Sequence, residues 1–376
     1  MKIPFNKPHF TGNEINFMTE AAREGRISGN GNFTRQCHSF FEKKYGFGKA
    51  FLTNSCTDAL EMAAVLTRFE PGDEVICPSF TFVSTASAFA LHNAKIVFAD
   101  SRPDQPNIDE TLIESLISHR TKAIIVVHYS GVACNMDAIM HVARKYNLLV
   151  VEDAALSIDS WYRERALGSI GHLASFSFHE TKNIITGEGG MLTVNDGKLK
   201  ERAEIIWEKG TNRAAFQRGD VVKYEWVDVG ASYLPSEMMA AALLAQLKDM
   251  KIIQQRRKDI WYTYFDYLKP LQDKGLLTLP VIPGYANVNG SMFYFLARNP
   301  KERIELLQFL NKKGVHAVFH YLPLHNSPYY KDKHDGRELP NAVRYAETIV
   351  RLPFFYGLSE NEIAFVAEKV SDFFRS

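Results

Sequence analysis

Seven short runs rich in β-branched and aromatic residues recur through the first half of the chain: AFLTN (50–54), EVICP (74–78), KIVFA (95–99), AIIVVH (123–128), LLVVED (148–153), ASFSF (174–178) and GMLTV (190–194). Amphipathic stretches stand between most of them, among them 56–69, 109–118 and 137–146. Strands alternating with helices demand crossover connections, and crossovers produce a largely parallel sheet. Several runs are apolar at every position, as strands are when helices cover both faces of a sheet. Residues 1–235 therefore read as an α/β domain. After Pro235 the pattern changes. An uninterrupted stretch from Ser236 to Leu268, with Ser236 as N-cap and neither Gly nor Pro inside, predicts one long helix of about 50 Å. A strand-like SMFYFLAR, a helix near 301–313, a second strand-like run VHAVFHYL and two closing helices follow. Residues 236–376 thus read as a linking helix and a smaller α+β domain, with loops at about 207–230 and 325–340 long enough to act as lids.

Composition narrows the function classes. The 376 residues carry 44 Lys+Arg against 43 Asp+Glu, a net charge of +1. No overall field draws such a chain to nucleic acid or to an anionic membrane. The N-terminal MKIPFNKPHF lacks the apolar core of a leader, and no apolar run approaches the roughly 20 residues of a spanning helix, so a cytoplasmic protein is expected. The four cysteines (37, 56, 77 and 134) are widely spaced, which suits reduced thiols rather than a zinc knuckle or a disulfide framework.

Chemistry concentrates in LLVVEDAA and ASFSFHETKNIITGEGG. Asp153 ends a buried strand, where open parallel sheets place their ligands; it could equally cap the next helix. Lys182 follows 29 residues later on a polar loop, where a lysine is usually solvated. One strand and its connection separate the two, so both can converge on one crevice. A lysine beside a buried carboxylate is what pyridoxal phosphate (PLP) requires: the amine forms the Schiff base, and the carboxylate keeps the pyridine nitrogen protonated. A phosphate site is available where LTNSCTDALEMAA turns from strand into helix, since helix N-termini bind anions. Simple capping by Ser55 or Thr57 explains that segment as well. Ser177 can add a hydroxyl. Phe82, with Phe80, stands past another strand end and could cover a flat ring, or could be core. Gly29-Asn30-Gly31 lacks both a preceding strand and a third glycine, so it is a weak dinucleotide signal. His316 and His320 have no third partner in view for a metal, and no metal is expected.

The motifs NSCTDALEMAA, PSFTFVSTASAF, HYSGVACNMDAI, VVEDAA, SFSFHETKN and GEGG resemble, in order and spacing, the DegT-type sugar aminotransferases, the nucleotide-sugar branch of the aspartate-aminotransferase-fold PLP enzymes. The resemblance covers nearly the whole chain. It implies a large domain with a seven-stranded, mostly parallel sheet and a smaller C-terminal α+β domain. It casts Lys182 as the Schiff-base lysine, Asp153 as the pyridinium partner and Phe82 as the ring stacker, with the phosphate against Cys56, Thr57 and Ser177. Tyr321 and His325, in HYLPLH, are similar to residues on the nucleotide-sugar side. The resemblance also implies a homodimer with active sites at the subunit interface, the segment around Ser232 reaching the partner. The implied reaction moves an amino group from glutamate to a dTDP-linked keto-deoxy sugar, at C4 or, in other members, at C3. Relatives that deoxygenate sugars carry histidine at the lysine position, so Lys182 implies transamination. Two positions depart from the family pattern. Leu156 replaces a glutamine expected near the cofactor's phenolic oxygen, and Ser232 replaces an interface asparagine expected at the phosphate. A binder of PLP or a nucleotide sugar that performs no turnover is the non-enzyme alternative.

Overall fold

The computed structural model describes residues 1–375. All seven expected runs are strands of a single sheet: β1 (Ala50–Thr53), β2 (Glu74–Pro78), β3 (Lys95–Ala99), β4 (Thr121–Val127), β5 (Leu149–Asp153), β6 (Leu173–Ser177) and β7 (Gly190–Val194), in the order β1-β7-β6-β5-β4-β2-β3. The pairs from β3 across to β6 are parallel, and β7 runs antiparallel to both β6 and β1. Alternate residues of the central strands enter different cores. Val151 joins an apolar cluster with Ala59, Phe89 and Leu192, whereas Val150 joins one with Ile124, Ile139 and Ala143 on the opposite face. That two-sided burial is why these strands carry no polar alternation. The parallel register sets Val127 beside Asp153 and Asp153 beside Ser175, so the carboxyl ends of β4, β5 and β6 lie together.

The stretch from Ser236 to Leu268 is two helices, Glu237–Lys248 and Met250–Asp273, in place of the single helix expected. Asp249 separates them at φ −98°, ψ 7°, outside the helical well. The break lets the two halves bury different faces. Ala240, Leu243 and Leu247 pack with Phe33, Phe41 and Phe176, while Ile260, Tyr264 and Leu268 pack with Phe293, Leu306 and Val366. A straight rod of about 50 Å could not follow both cores.

Residues 315–322 form no strand. Val315 bridges Ile3 and Val318 bridges Arg351, and the segment otherwise runs irregularly to Pro323. The true partner of SMFYFLAR is a strand the sequence pattern did not single out: β8 (Tyr294–Leu296) pairs antiparallel with β9 (Ile349–Arg351). Only Glu110–Ile113 of the expected helix 109–118 is α-helical, continued by a 3-10 turn at Glu114–Leu116. No helix among the described residues is long and apolar enough to cross a membrane.

Candidate active site

Strand β5 ends in two adjacent acids that its pleat sends to opposite sides. Glu152 turns under the sheet, where His128 Nε2 lies 2.9 Å from it and the amides of Gly168, Ile170 and Gly171 donate to it. Burial alone would raise its pKa. The His128 bond and the glycine amides outweigh burial and hold the carboxyl below its ordinary value. Asp153 points up into a cleft of about 660 Å³. It is only 6% exposed and accepts two hydrogen bonds, from Thr85 Oγ1 at 2.7 Å and from the Ala155 amide at 3.1 Å. For Asp153 burial wins, and its pKa lies above the ordinary carboxylate value despite the nearby Lys182. The Ala155 contact closes a local turn, so Asp153 caps no helix.

Lys182 reaches the same cleft from the loop joining β6 to β7. That loop is held at its base by a bridge between His179 and Gly187, and by the Lys182 amide donating to the His179 carbonyl at 2.9 Å. The next residue is the anchor: buried Asn183 donates to Gln254 Oε1 at 2.7 Å and to the Asn289 carbonyl at 2.9 Å. Lys182 Nζ makes no hydrogen bond to any described residue. Burial lowers its pKa, partly opposed by Cys56 and Asp153. An amine so placed is closer to its neutral, nucleophilic form than a solvated lysine.

The helix Cys56–Thr67 opens onto this cleft. Ser55 caps it by accepting from the Asp58 amide at 3.1 Å. The cap does not consume the site: the amides of Cys56 and Thr57, at the first two helical positions, have no intrahelical partner. Gly190 makes the approach possible, because a Cβ there would stand 2.3 Å from the Ser55 carbonyl carbon. Ser177 lines the same region, and the Thr57 hydroxyl donates to Ser84 Oγ at 2.8 Å. Burial pushes the Cys56 thiol up to about 12, so it remains protonated.

Phe82 is 55% exposed at the rim and 6.0 Å from the Tyr321 ring; Phe80 is core. Of the sequence-derived site residues, Cys56, Thr57, Phe82, Asp153, Ser177, Lys182 and Tyr321 meet in one cleft. His325 does not join them. It is 5% exposed, its Nδ1 lies 2.6 Å from Ser79 Oγ, and it borders a separate groove with Arg298 and Arg344. The irregular 315–322 segment brings Tyr321 to the cleft, while the 3-10 turn Leu324–Asn326 sets His325 against Ser79, just past the end of β2.

Leu156 borders the cleft, and Ser232 lies outside it, its carbonyl accepting from Asn54. The Gly29-Asn30-Gly31 turn is used structurally, its Gly31 amide donating to buried Glu237. His316 lies edge-on to Phe5. Two contributors escaped the motif reading: Thr85, which orients Asp153, and His128, which orients Glu152; His320, weighed above for a metal, lies with its Nδ1 2.9 Å from Tyr129 Oη. Thr85 lies three residues beyond Phe82, a signal available in PSFTFVSTASA.

A free amine, a buried carboxylate and open helix amides converging above a mostly parallel sheet have the chemistry that PLP asks of a site: an amine for the aldehyde, an acceptor for the ring N–H and donors for the phosphate. Comparison with known proteins agrees. The sequence profile of the DegT/DnrJ/EryC1/StrS aminotransferase family matches residues 8–371, and the chain belongs to that family. The spore coat polysaccharide biosynthesis protein SpsC of Bacillus subtilis is 34% identical over 379 residues, covering 98% of this chain and 96% of its own. Among solved structures, Spr1654 of Streptococcus pneumoniae, described as a sugar aminotransferase and seen in PMP and PLP forms, superposes with a TM-score of 0.90 at 26% identity over 99% of this chain and 98% of its own. DesV of S. venezuelae gives 0.89 at 28% identity, covering 99% and 98%. The protein is a PLP-dependent sugar aminotransferase.

Proposed function

We propose that the chain transfers the amino group of glutamate to C4 of dTDP-4-keto-6-deoxy-D-glucose, giving a dTDP-4-amino-4,6-dideoxyhexose for surface polysaccharide synthesis. The observation that carries the transfer is the unpartnered Lys182 amine facing Asp153 across one cleft. Bound PLP supplies an electron sink that stabilises negative charge on the carbon next to nitrogen. The chain's own residues do the rest. Asp153 holds a proton at the ring nitrogen. The Cys56 and Thr57 amides and Ser177 hold the phosphate, and Phe82 covers one face. Lys182 Nζ would tether the cofactor and, once free, would take up the proton of the donor's reacting carbon and hold it at Nζ for return to the cofactor-bound product. Tyr321, whose phenol burial keeps protonated, contributes a hydroxyl on the sugar side.

Support for the glycan destination comes from SpsC, named for spore coat polysaccharide biosynthesis. We place the reaction in the cytoplasm, in a homodimer whose sites complete each other. Val222, Trp226 and Val229, between 58% and 93% exposed, form the apolar segment next to Ser232 that suits such an interface. Incubation with PLP, glutamate and dTDP-4-keto-6-deoxyglucose, followed by NMR of the product, tests the reading. An amine at C4 supports it. Consumption only of a 3-keto isomer would move the assignment to C3, and no amination of either would overturn it.

A further inference from the structure

Three buried carboxamides, those of Asn183, Gln254 and Asn289, connect the loop that carries Lys182 with the turn that follows Asp153. Asn183, next in the chain to Lys182, commits both N–H groups of its side chain, one to Gln254 Oε1 at 2.7 Å and one to the Asn289 carbonyl at 2.9 Å. Asn289 in turn donates to the carbonyls of Leu156 at 2.7 Å and Ile158 at 3.0 Å. Gln254 closes a second path to the same turn, donating to the Ile158 carbonyl at 3.1 Å. Within the turn, the Ser157 amide donates to the Ala154 carbonyl at 2.8 Å and the Ala155 amide to Asp153 Oδ1 at 3.1 Å. The base of the hub is fixed as well. One helical turn beyond Gln254, buried Arg257 donates from Nε to the Gly290 carbonyl at 2.8 Å and from Nη2 to the Ser291 carbonyl at 2.9 Å.

An apolar filler could hold these segments together, but not at one spacing. Apolar contacts are non-directional, whereas a paired polar network in the interior specifies a single arrangement. Spacing matters because Lys182 Nζ has no hydrogen-bond partner among the described residues, so the place of the amine is set by its backbone. A misplacement of about 1 Å near a reacting centre can cost about 100-fold in rate.

We propose that Asn183, Gln254 and Asn289 are positioning residues that hold the Lys182 amine in register with Asp153. The assignment rests on the aminotransferase reading and adds the residues that keep its two central groups at a working distance.

The test compares Asn183→Ala and Asn289→Ala with Asn287→Ala. Asn287 tethers the same segment beyond the turn, accepting from the Trp161 amide at 2.6 Å, and makes no bond to the three carboxamides. Each PLP-loaded protein is mixed with rising glutamate, and the loss of Schiff-base absorbance gives a saturating rate and an apparent Kd. In the cofactor-free proteins, reductive methylation of Lys182 is followed against pH by peptide mass mapping. Asn183→Ala and Asn289→Ala should lower the saturating rate about tenfold or more while changing the Kd less than about threefold. Their Lys182 midpoint should rise toward that of a solvated lysine, because burial is what lowers it and a loosened amine regains water. Asn287→Ala should lower the melting temperature and leave rate and midpoint native. A native rate or a native midpoint in the folded Asn183→Ala or Asn289→Ala protein overturns the proposal, as does an equal change in Asn287→Ala. If Asn183→Ala does not fold, Asn183→Ser, which keeps one donor, replaces it with the same outcomes. A native protein indifferent to glutamate would instead strike the functional reading, and the Lys182 midpoints would still decide the role of the carboxamides.

Discussion

Glu152 and Asp153 are neighbours on one strand, both buried, and opposite in every other respect. Glu152 is met by four donors and behaves as a mortise between β5 and the 168–171 turn; Asp153 has two and faces a cleft. A buried charge that is fully paired stabilises its surroundings, whereas one left half-paired waits for a ligand. The contrast separates what the fold needs from what the reaction needs.

The sharpest way to break this comparison begins with the group opposite Asp153. Lys182→Ala should abolish the Schiff-base absorbance and lower turnover about 10³-fold or more, with thermal unfolding little changed; retained turnover would overturn its role. Glu152→Ala should behave in the reverse manner, orphaning His128 and three buried amides at a cost of about 3–5 kcal/mol, measured by urea unfolding of the cofactor-free protein. If it proves neutral, the distinction between the two acids fails.

Asp153→Asn sharpens the comparison through its sign. The folded-state pKa of Asp153 is raised, so the burial cost of its charge is present at neutral pH and is relieved as pH falls through that raised value. The cofactor-free variant should therefore melt above the native protein at neutral pH, and the gap should close in acid. It should also release PLP more readily, because a neutral amide cannot hold the ring nitrogen protonated. For Glu152, whose pKa is lowered, stability is present above the unfolded value and lost as pH falls through the folded one. Differential scanning calorimetry across pH distinguishes the two profiles. The smallest effect belongs to Phe82→Ala, a loss of about 1 kcal/mol of ring contact, read as roughly fivefold weaker retention of PLP during dialysis.

Much of this was legible before any coordinates. The seven strand runs carry uniform β-branched character because they are buried on both faces, and Asp153, Lys182 and the helix start at Cys56 are each punctuated by local signals: a strand end, a glycine return, a cap. The misreadings share a cause. The 315–322 run has the apolar content of a strand, yet β9 takes β8 as its main partner and meets this run only at Val318. Likewise the helix from Ser236 contains no breaker, and only the demand of two separate cores splits it at Asp249.

The sequence by itself determined the sheet, and the strand ends and helix start that meet at the cleft, because strand burial and helix capping are written in neighbouring positions. Tertiary structure alone decided that Tyr321 faces the cleft while His325 lies against Ser79, and that Thr85 steers Asp153. Those facts depend on which distant segments meet, and a short-range pattern holds no record of such encounters.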